Sequence, residues 1–478
     1  MMMSTPAVLK LLTLASLAPR SCSFNPSSLS QIRSTTSTLL SNQQRPPTPL
    51  VLFSSYDYEY DFDYESSQAT SSSSSPYGAI DVSENAPRDI SSMEEWVSSN
   101  GALRQGFYLH SSDDYHTDVH AVASQPLPSG TTVLYVPEAM ILTSSKATAE
   151  LRSNQMNQAE KIIQSVNAQD QLRHFYLMLK VLVEYEKGQD SPWYHWLNSL
   201  PRYYTNAASM TPFCYECLPS LMKKLAMEER RLLGKLSVRS VPFLSDDTVW
   251  NEELCTWAFQ VVYTRSFESP DGDLKLVPLG DYFNHGSDYT EIATCYDDDG
   301  NYYATTTYDV EAGCPLRMSY GDPTNPSFLF ARYGFVDESS LATFCKIFPP
   351  HVNADMEALG YAQNKMLFYK DTGDISQEVW DILLYQVLSS TKIGDRRALM
   401  KAHLEEDYAT KHELHQQYYP MTSALLLNHI DTFIEQLDKL SQLAEGKDWS
   451  EHPRLPLILK HNQFVRNTFM RVRERFFG

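Results

Sequence analysis

The sequence predicts an α+β protein in which short strands are interrupted by a long helical segment and followed by a helical C-terminal region. Residues 131–137 follow a Pro-Ser-Gly turn and have the short, β-rich pattern of a small strand. Residues 172–186 repeat apolar side chains at helical intervals, and Lys187-Gly188 ends that pattern. Residues 426–440 show the same periodicity before Gly446, which predicts an amphipathic bundle helix.

Three parts are predicted along the chain, whose 478 residues, 42% of them hydrophobic, suffice for more than one core. Residues 1–90 are expected to hold a targeting sequence and a disordered linker, because 54–76 combines aromatic residues, acids and a serine run. A capping-box pattern in Ser91–Glu95 opens a mixed domain that extends to residue 345. Its helical insert covers about 146–264, strands return in 291–310 around a hairpin turn, and 346–478 forms an all-α domain.

Composition excludes several classes of protein. The chain has 39 basic and 59 acidic residues, and its net charge of -20 argues against a nucleic-acid partner, which needs clustered Lys and Arg. No apolar run approaches the roughly 20 residues that span a bilayer, so no membrane span is expected. Seven scattered cysteines predict reduced thiols, and Cys214-x-x-Cys217 is interpreted as two buried thiols rather than a metal site. We expect a monomer.

The N-terminus differs in composition from the rest of the chain. Residues 1–50 contain four basic residues and no acidic ones, as in transit peptides. The segment Ser21–Pro26 resembles the junction in bipartite presequences of algae with complex plastids, where a small-residue cleavage site precedes Phe. The resemblance implies a plastid (chloroplast) protein. A secretory or mitochondrial presequence and a cytoplasmic location are the alternatives.

Two motifs carry most of the chemical information. Residues 277–286 place Asp281, Asn284 and His285 between glycines, which makes a polar cluster in a turn. Residues 317–336 contain Tyr320 at the end of a short strand and Tyr333 after an apolar turn. An Asn-His pair that satisfies its own backbone is the simple interpretation of the first motif alone. With the second motif, two tyrosines are placed to face one site.

Together the motifs resemble the SET-domain methyltransferases, specifically the plant Rubisco large-subunit lysine methyltransferase group. The likeness continues in 184–188, 191–201, Trp257-Ala258 and 264–267 and extends from about Met93 to the end of the chain. It implies a SET β-fold of small sheets with a helical insert. It also implies that the helical C-terminal domain docks a protein substrate.

The resemblance implies S-adenosylmethionine as the cofactor. In that group the Asn-His pair, here Asn284 and His285, helps to hold it, and the matching arginine is Arg265. A guanidinium suits the cofactor carboxylate because it can bind it bidentately. A surface salt bridge is the alternative for Arg265. One departure stands out: the group has a glycine-rich element near the start of the domain, whereas this chain has Asp118–Ala123, without glycine and with His120.

The catalytic and substrate-binding residues are also implied by the resemblance. The catalytic tyrosine corresponds to Tyr320, and Tyr333 and Tyr296 correspond to tyrosines that line the lysine channel. Asp281 corresponds to an acidic residue on the substrate side. Tyrosine hydroxyls suit such a channel because each can orient an amine without adding charge. A core tyrosine is an equally good interpretation of Tyr296, and a turn cap is the alternative for Asp281.

The predicted function is therefore a protein-lysine N-methyltransferase. The family suggests Rubisco large subunit or aldolase as the substrate, while the target and the number of methyl groups are not determined by the sequence. A protein-histidine methyltransferase is the enzymatic alternative. The alternative from another class is a catalytically silent SET scaffold that binds a protein partner, and the missing glycines near His120 favour it.

Overall fold

The computed structural model describes residues 80–478, except for 112, 114–117, 237, 288, 323, 346–351 and 363. The predicted presequence and most of the predicted linker lie outside the described residues. The described residues from Ile80 onward belong to one compact unit. The division at residue 345 stays a prediction.

The first helix begins one residue before the predicted capping box. Asp89 caps it, because its carboxylate accepts a hydrogen bond from the backbone N–H of Ser92 at 3.0 Å. The predicted serine cap is therefore wrong by two residues, since a carboxylate is available just upstream. The N-terminal elements are α1 (Ile90–Ser99), β1 (Leu103–Arg104), β2 (Phe107–Ser111), β3 (Val119–Ala123), β4 (Thr132–Val136) and β5 (Leu142–Thr143).

A helical segment follows β5, as predicted. Its elements are α2 (Ser144–Leu151), α3 (Asn157–Ser165), α4 (Leu172–Glu186), α5 (Tyr194–Ser199), α6 (Pro212–Glu216), α7 (Ser220–Lys235), α8 (Asp246–Val249) and α9 (Glu252–Arg265). The bounds of α4 are those predicted from the apolar periodicity. Its fully buried Glu184 bonds Lys180 at 2.8 Å and Lys187 at 2.6 Å, so the buried charge is compensated.

Small sheets resume after the insert. Their strands are β6 (Phe267–Glu268), β7 (Leu274–Leu276), β8 (Asn284–His285), β9 (Ile292–Tyr296), β10 (Tyr302–Thr306) and β11 (Arg317–Met318). The largest sheet has the order β1-β4-β10-β9, and the predicted hairpin is confirmed as β9–β10. Strand β5 pairs with β7, with Leu142 opposite Leu276. The chain segments that flank the insert therefore lie next to each other.

The C-terminal part is mainly helical, which confirms the predicted fold class. Its elements are α10 (Pro326–Tyr333), β12 (Ala342–Phe344), α11 (Ala354–Ala358), β13 (Leu367–Tyr369), α12 (Gln377–Thr391), α13 (Ile393–Leu404), α14 (Tyr408–Ala444) and α15 (Leu455–Phe477). Basic residues of α15 bind acids of the same chain: Arg466 bonds Asp438 at 2.7 Å and Arg473 bonds Asp431 at 2.8 Å. The basic face of α15 is thus partly neutralised within the chain.

Two hydrophobic cores result. The first lies under the small sheets and α4, and includes the fully buried Tyr282 and Phe283. The second unites the C-terminal helices with residues 207–226 of the insert and with Phe330 of α10. Helix α10 therefore packs into the second core, whereas Tyr320, which precedes it, packs against the first.

The buried Cys214 and Cys217 are unpaired thiols, as predicted. Within the described ranges, no group of three or more His, Cys, Asp or Glu side chains is placed to hold a metal ion. Among those same residues, no helix combines the length and apolar character needed to cross a membrane.

Gly334 joins α10 to the insert by close backbone contact. It has φ 78°, and a Cβ there would lie 2.3 Å from the Asn206 nitrogen. The Thr205 hydroxyl donates to the Gly334 carbonyl at 2.6 Å. Only glycine combines this positive φ with the absence of a Cβ that would clash with Asn206.

We expect Gly334→Ala to destabilise the protein more than Gly313→Ala. Gly313 has a similar φ of 83° but open space within 4 Å of the place that a Cβ would occupy, so both variants share a backbone strain of roughly 1–2 kcal/mol. The clash at Gly334 adds roughly 1–3 kcal/mol. Urea denaturation measures both, and equal losses would show that the contact with Asn206 relaxes without cost.

Candidate active site

The two predicted motifs meet as a short parallel strand pair. Arg317 of β11 lies opposite Asn284 of β8, and Met318 lies opposite His285. The Gly286 N–H donates to the Met318 carbonyl at 3.0 Å, which extends the pairing by one bond. The pair brings the Asn-His dipeptide beside the segment that carries Tyr320.

His285 connects the two motifs through its ring. Its side chain is only 2% exposed, and its Nδ1 accepts a hydrogen bond from the Tyr320 backbone N–H at 3.0 Å. Nε2 lies 2.9 Å from the Ser287 hydroxyl and 3.4 Å from a carboxylate oxygen of Asp337. Because Nδ1 is an acceptor, the neutral ring carries its proton on Nε2.

Tyr320 lies in an aromatic cluster. Its ring centroid is 4.9 Å from that of Tyr333 and 5.5 Å from that of His285. The Tyr320 hydroxyl donates to the Phe283 carbonyl at 2.8 Å. Burial raises the pKa of Tyr320 well above its usual value, although Arg265 opposes the effect. The phenol is therefore protonated at neutral pH, and its oxygen retains lone pairs for an incoming donor.

Arg265 and Asp281 form a buried ion pair below this cluster. Arg265 Nη1 donates to the Asp281 carbonyl at 2.7 Å and to its carboxylate at 3.1 Å. Burial raises the pKa of Asp281, and the guanidinium of Arg265 opposes this shift. The backbone just before this pair is strained at Leu279, which has φ 65° without being glycine. The predicted cofactor arginine is thus held by the predicted substrate-side acid.

Tyr296 lies on β9, on an aromatic wall next to the cluster. Its ring meets Tyr302 edge-on at 5.5 Å, and Tyr302 stacks on Phe267 at 6.1 Å. The Nζ of Lys275 lies 3.9 Å from the Tyr296 ring centroid, a cation–π distance. Burial raises the pKa of Tyr302, and the neighbouring Tyr296, Asp281 and Tyr320 raise it further. Tyr302 therefore contacts the rings of both Tyr296 and Phe267.

Asn284 faces the segment that lacks glycine. Its amide donates to the Asp118 carboxylate at 3.4 Å. His120 follows on β3, where its ring meets that of His110 at 5.5 Å and its Nδ1 lies 3.6 Å from the same carboxylate. An imidazole and a carboxylate therefore lie where the group that the sequence resembles has glycines.

Several buried polar atoms of the site have no hydrogen-bond partner within the described part of the chain. These atoms include Asp281 Oδ1, Tyr296 OH and Tyr302 OH. Unpaired buried polar groups are costly, so their concentration here indicates a place for a polar ligand. With the Asn284 amide and the Asp118 carboxylate close by, the donor set fits a ligand that carries both a carboxylate and a cationic group.

Sequence reasoning missed three residues of this arrangement, which are Ser287, Tyr302 and Asp337, and it named Asp118 only as the start of the segment without glycine. Ser287 follows the Asn-His pair after one glycine, and Asp337 follows the Tyr333-Gly-Phe turn by two residues, so proximity to the motifs was the available signal. Tyr302 gave none, because a buried tyrosine on a strand is indistinguishable in sequence from a core residue.

The fold is that of solved SET-domain structures. The chain matches the SET domain of LSMT bound to lysine and AdoHcy, with a TM-score of 0.56, 15% identity, and coverage of 81% of this chain and 91% of that one. It matches Rubisco LSMT bound to AdoMet with a TM-score of 0.55, 15% identity and coverage of 82% and 92%. At this identity the likeness establishes the fold.

A third structure, Rubisco LSMT bound to sinefungin and monomethyllysine, has a TM-score of 0.53 at 15% identity and covers 81% of this chain and 91% of that one. No protein-family model and no curated protein matches the sequence. The predicted SET fold with a helical insert and a helical C-terminal region is confirmed.

Proposed function

We propose that this chain is an S-adenosylmethionine-dependent protein-lysine N-methyltransferase. The observation that carries the proposal is the position of Tyr320, which the β8–β11 pair holds between His285 and Tyr333 in a SET fold. Solved proteins of this fold were crystallised with AdoMet, lysine and monomethyllysine. The charged side chains and the tyrosine hydroxyls of the site are chemically suited to the same ligands.

Arg265, Asn284 and Asp118 are proposed to hold the amino-acid end of the cofactor. The guanidinium of Arg265 is suited to a carboxylate partner, and the Asp118 carboxylate, which lies beside the Asn284 amide, is suited to a cationic group. His285 is proposed to contribute through its backbone and its position, because both of its ring nitrogens already have protein partners. S-adenosylmethionine, when bound, supplies a methyl group on a sulfonium.

The protein side of the reaction is to present an unprotonated amine in line with that methyl group. A lysine amine has a pKa of about 10.4 in water, and an apolar aromatic channel lowers this value by desolvating the charge. Tyr320 stays a neutral phenol, so its oxygen can accept a hydrogen bond from the amine and orient its lone pair. Tyr333 and Tyr296 are proposed to line the channel, and Asp281 is proposed to act on the substrate side through its pair with Arg265.

The C-terminal helices are proposed to dock the protein substrate. With the predicted plastid location, Rubisco large subunit and aldolase are the proposed candidates. Large apolar side chains support docking, because Leu404 is 70% and Tyr408 72% exposed on adjoining helices.

Incubation with labelled cofactor and a plastid extract, followed by mass spectrometry, identifies the methylated substrate protein. A labelled histidine instead of lysine would replace this proposal by histidine methylation.

Calorimetric titration with S-adenosylhomocysteine tests the cofactor directly. We expect saturable binding that Asn284→Ala weakens, because the amide lies beside the site, whereas the exposed amide in Asn467→Ala serves as a matched control. No binding at millimolar ligand would favour the silent scaffold, for which the position of His120 beside Asp118 is the specific support. In that case His120→Gly should restore binding if the imidazole alone blocks the site.

A further inference from the structure

Asp337 is a buried carboxylate fixed from both sides. The Ser339 backbone N–H and hydroxyl donate to it at 3.0 Å and 2.7 Å, which anchors it within its own loop. Its second oxygen bonds the Ser287 hydroxyl and lies 3.4 Å from His285 Nε2. Its side chain is 8% exposed, so the contact with His285 is shielded from water. Burial would raise the pKa of Asp337, but its hydrogen bonds from His285, Ser287 and Ser339 prevail and hold it well below the usual range.

The contact favours the same tautomer of His285 that the bond from the Tyr320 backbone N–H requires. A carboxylate beside Nε2 favours a proton there, and Ser287 can relay the same preference through its hydroxyl. Nδ1 is then left as an acceptor for the Tyr320 backbone N–H. In the other tautomer, Nδ1–H would point at that N–H, and two donors would face each other.

Two sets of bonds hold the main chain around Tyr320. One is the bond to His285, and the other is formed by the Ser319 hydroxyl, which accepts from the Gly321 N–H at 3.3 Å and donates to the Gly321 carbonyl at 3.1 Å. Strand β11 ends at Met318, two residues before Tyr320, and Gly321 directly after it has φ 149° with open space where a Cβ would lie. The next regular element, α10, begins only at Pro326. The bond to His285 therefore fixes the main chain of Tyr320 between a strand end and a glycine.

We propose that Asp337 is a positioning residue which, through Ser287 and the tautomer of His285, holds the Tyr320 backbone in place. The effect on the tautomer rests on the geometry alone, and the effect on methyl transfer rests on the proposed function. Asp337 does not touch a reacting atom. Its replacement should therefore disturb orientation and leave substrate affinity nearly unchanged.

The test compares Asp337→Ala and Asp337→Asn with Asp381→Asn. Asp381 is a matched control because it is a buried carboxylate whose oxygen lies 2.8 Å from His415 Nε2, on helices away from Tyr320. Imidazole ¹⁵N spectra of histidine-labelled protein report the tautomer of His285 without any methyl transfer. We expect a single Nε2–H form in the wild type and in Asp381→Asn, and a mixture of tautomers in Asp337→Ala.

In the methyl-transfer assay, Asp337→Ala should lower kcat on the order of 10- to 100-fold with KM nearly unchanged, because misplacing a positioned group is costly. Asp337→Asn, which keeps an acceptor oxygen, should recover part of that loss and remains informative if the alanine variant does not fold. An unchanged His285 spectrum in both Asp337 variants would overturn the proposal. If the wild type transfers no methyl group, the proposed function fails while the spectra still decide the role of Asp337.

Discussion

Tyr320→Phe is expected to reduce the rate of methyl transfer by about 10²- to 10⁴-fold. This is the range for removing a side chain that is positioned to bond a proton of the reacting group. The variant removes one hydroxyl and leaves the ring contacts with His285 and Tyr333 in place. It also leaves the Phe283 carbonyl without its 2.8 Å partner, at a cost of about 1–3 kcal/mol. S-adenosylhomocysteine affinity should stay nearly the same, since the hydroxyl is assigned to the amine.

Single-turnover assays and calorimetry on the same preparation measure these two effects. Tyr303→Phe is the matched control, because its hydroxyl bonds the Asp297 carboxylate at 3.1 Å on the hairpin, away from the ring cluster. The control should lose some stability and keep its turnover. Equal turnover in the Tyr320 variant and the wild type would remove Tyr320 from the reaction.

Arg265→Met is expected to cost about 3–5 kcal/mol of unfolding free energy, because it leaves the Asp281 carboxylate buried without its counter-ion. The Asp281 side chain has no exposed surface, and its bond to Arg265 is 3.1 Å long. Protonation of Asp281 in the variant would relieve part of this cost, so the deficit should shrink at acidic pH.

Arg239→Met provides the comparison for this large effect. Arg239 bonds Glu252 at 3.0 Å, but the two side chains are 53% and 82% exposed. Exposed pairs contribute about 0–1 kcal/mol, so this variant should unfold at nearly the wild-type urea concentration. Similar losses in both variants would mean that Asp281 finds another partner once Arg265 is removed.

Local signals in the sequence predict those elements whose ends are determined by local chemistry. The bounds of α4 follow from its apolar spacing and from Lys187-Gly188, and the β9–β10 hairpin follows from the Asp297–Asn301 turn. The first helix starts earlier than predicted because Asp89 caps it from outside the predicted motif. Competition between neighbouring caps depends on backbone geometry that the motif does not specify.

Some contacts of the site are also predictable from the sequence, and others are not. The proximity of Asn284-His285 to Tyr320 is predictable because both segments belong to recognisable motifs. The contacts of His285 with Asp337, and of Asn284 with Asp118, join positions 52 and 166 residues apart, and only the folded chain brings them together. A salt bridge of Arg265 is an alternative at the sequence level, but its partner Asp281 and the burial of the pair are not predictable from the motifs.

The side chain of Lys275 already covers one face of the Tyr296 ring. Its ammonium lies 3.9 Å from the centre of the Tyr296 ring, which is where a cation gains most from the ring's charge distribution. A second cation that uses this face must displace the first. Binding there is then an exchange, and its free energy is the difference between two similar contacts rather than the value of one. A substrate lysine at the proposed channel would therefore gain less from the Tyr296 ring than it would from an unoccupied ring.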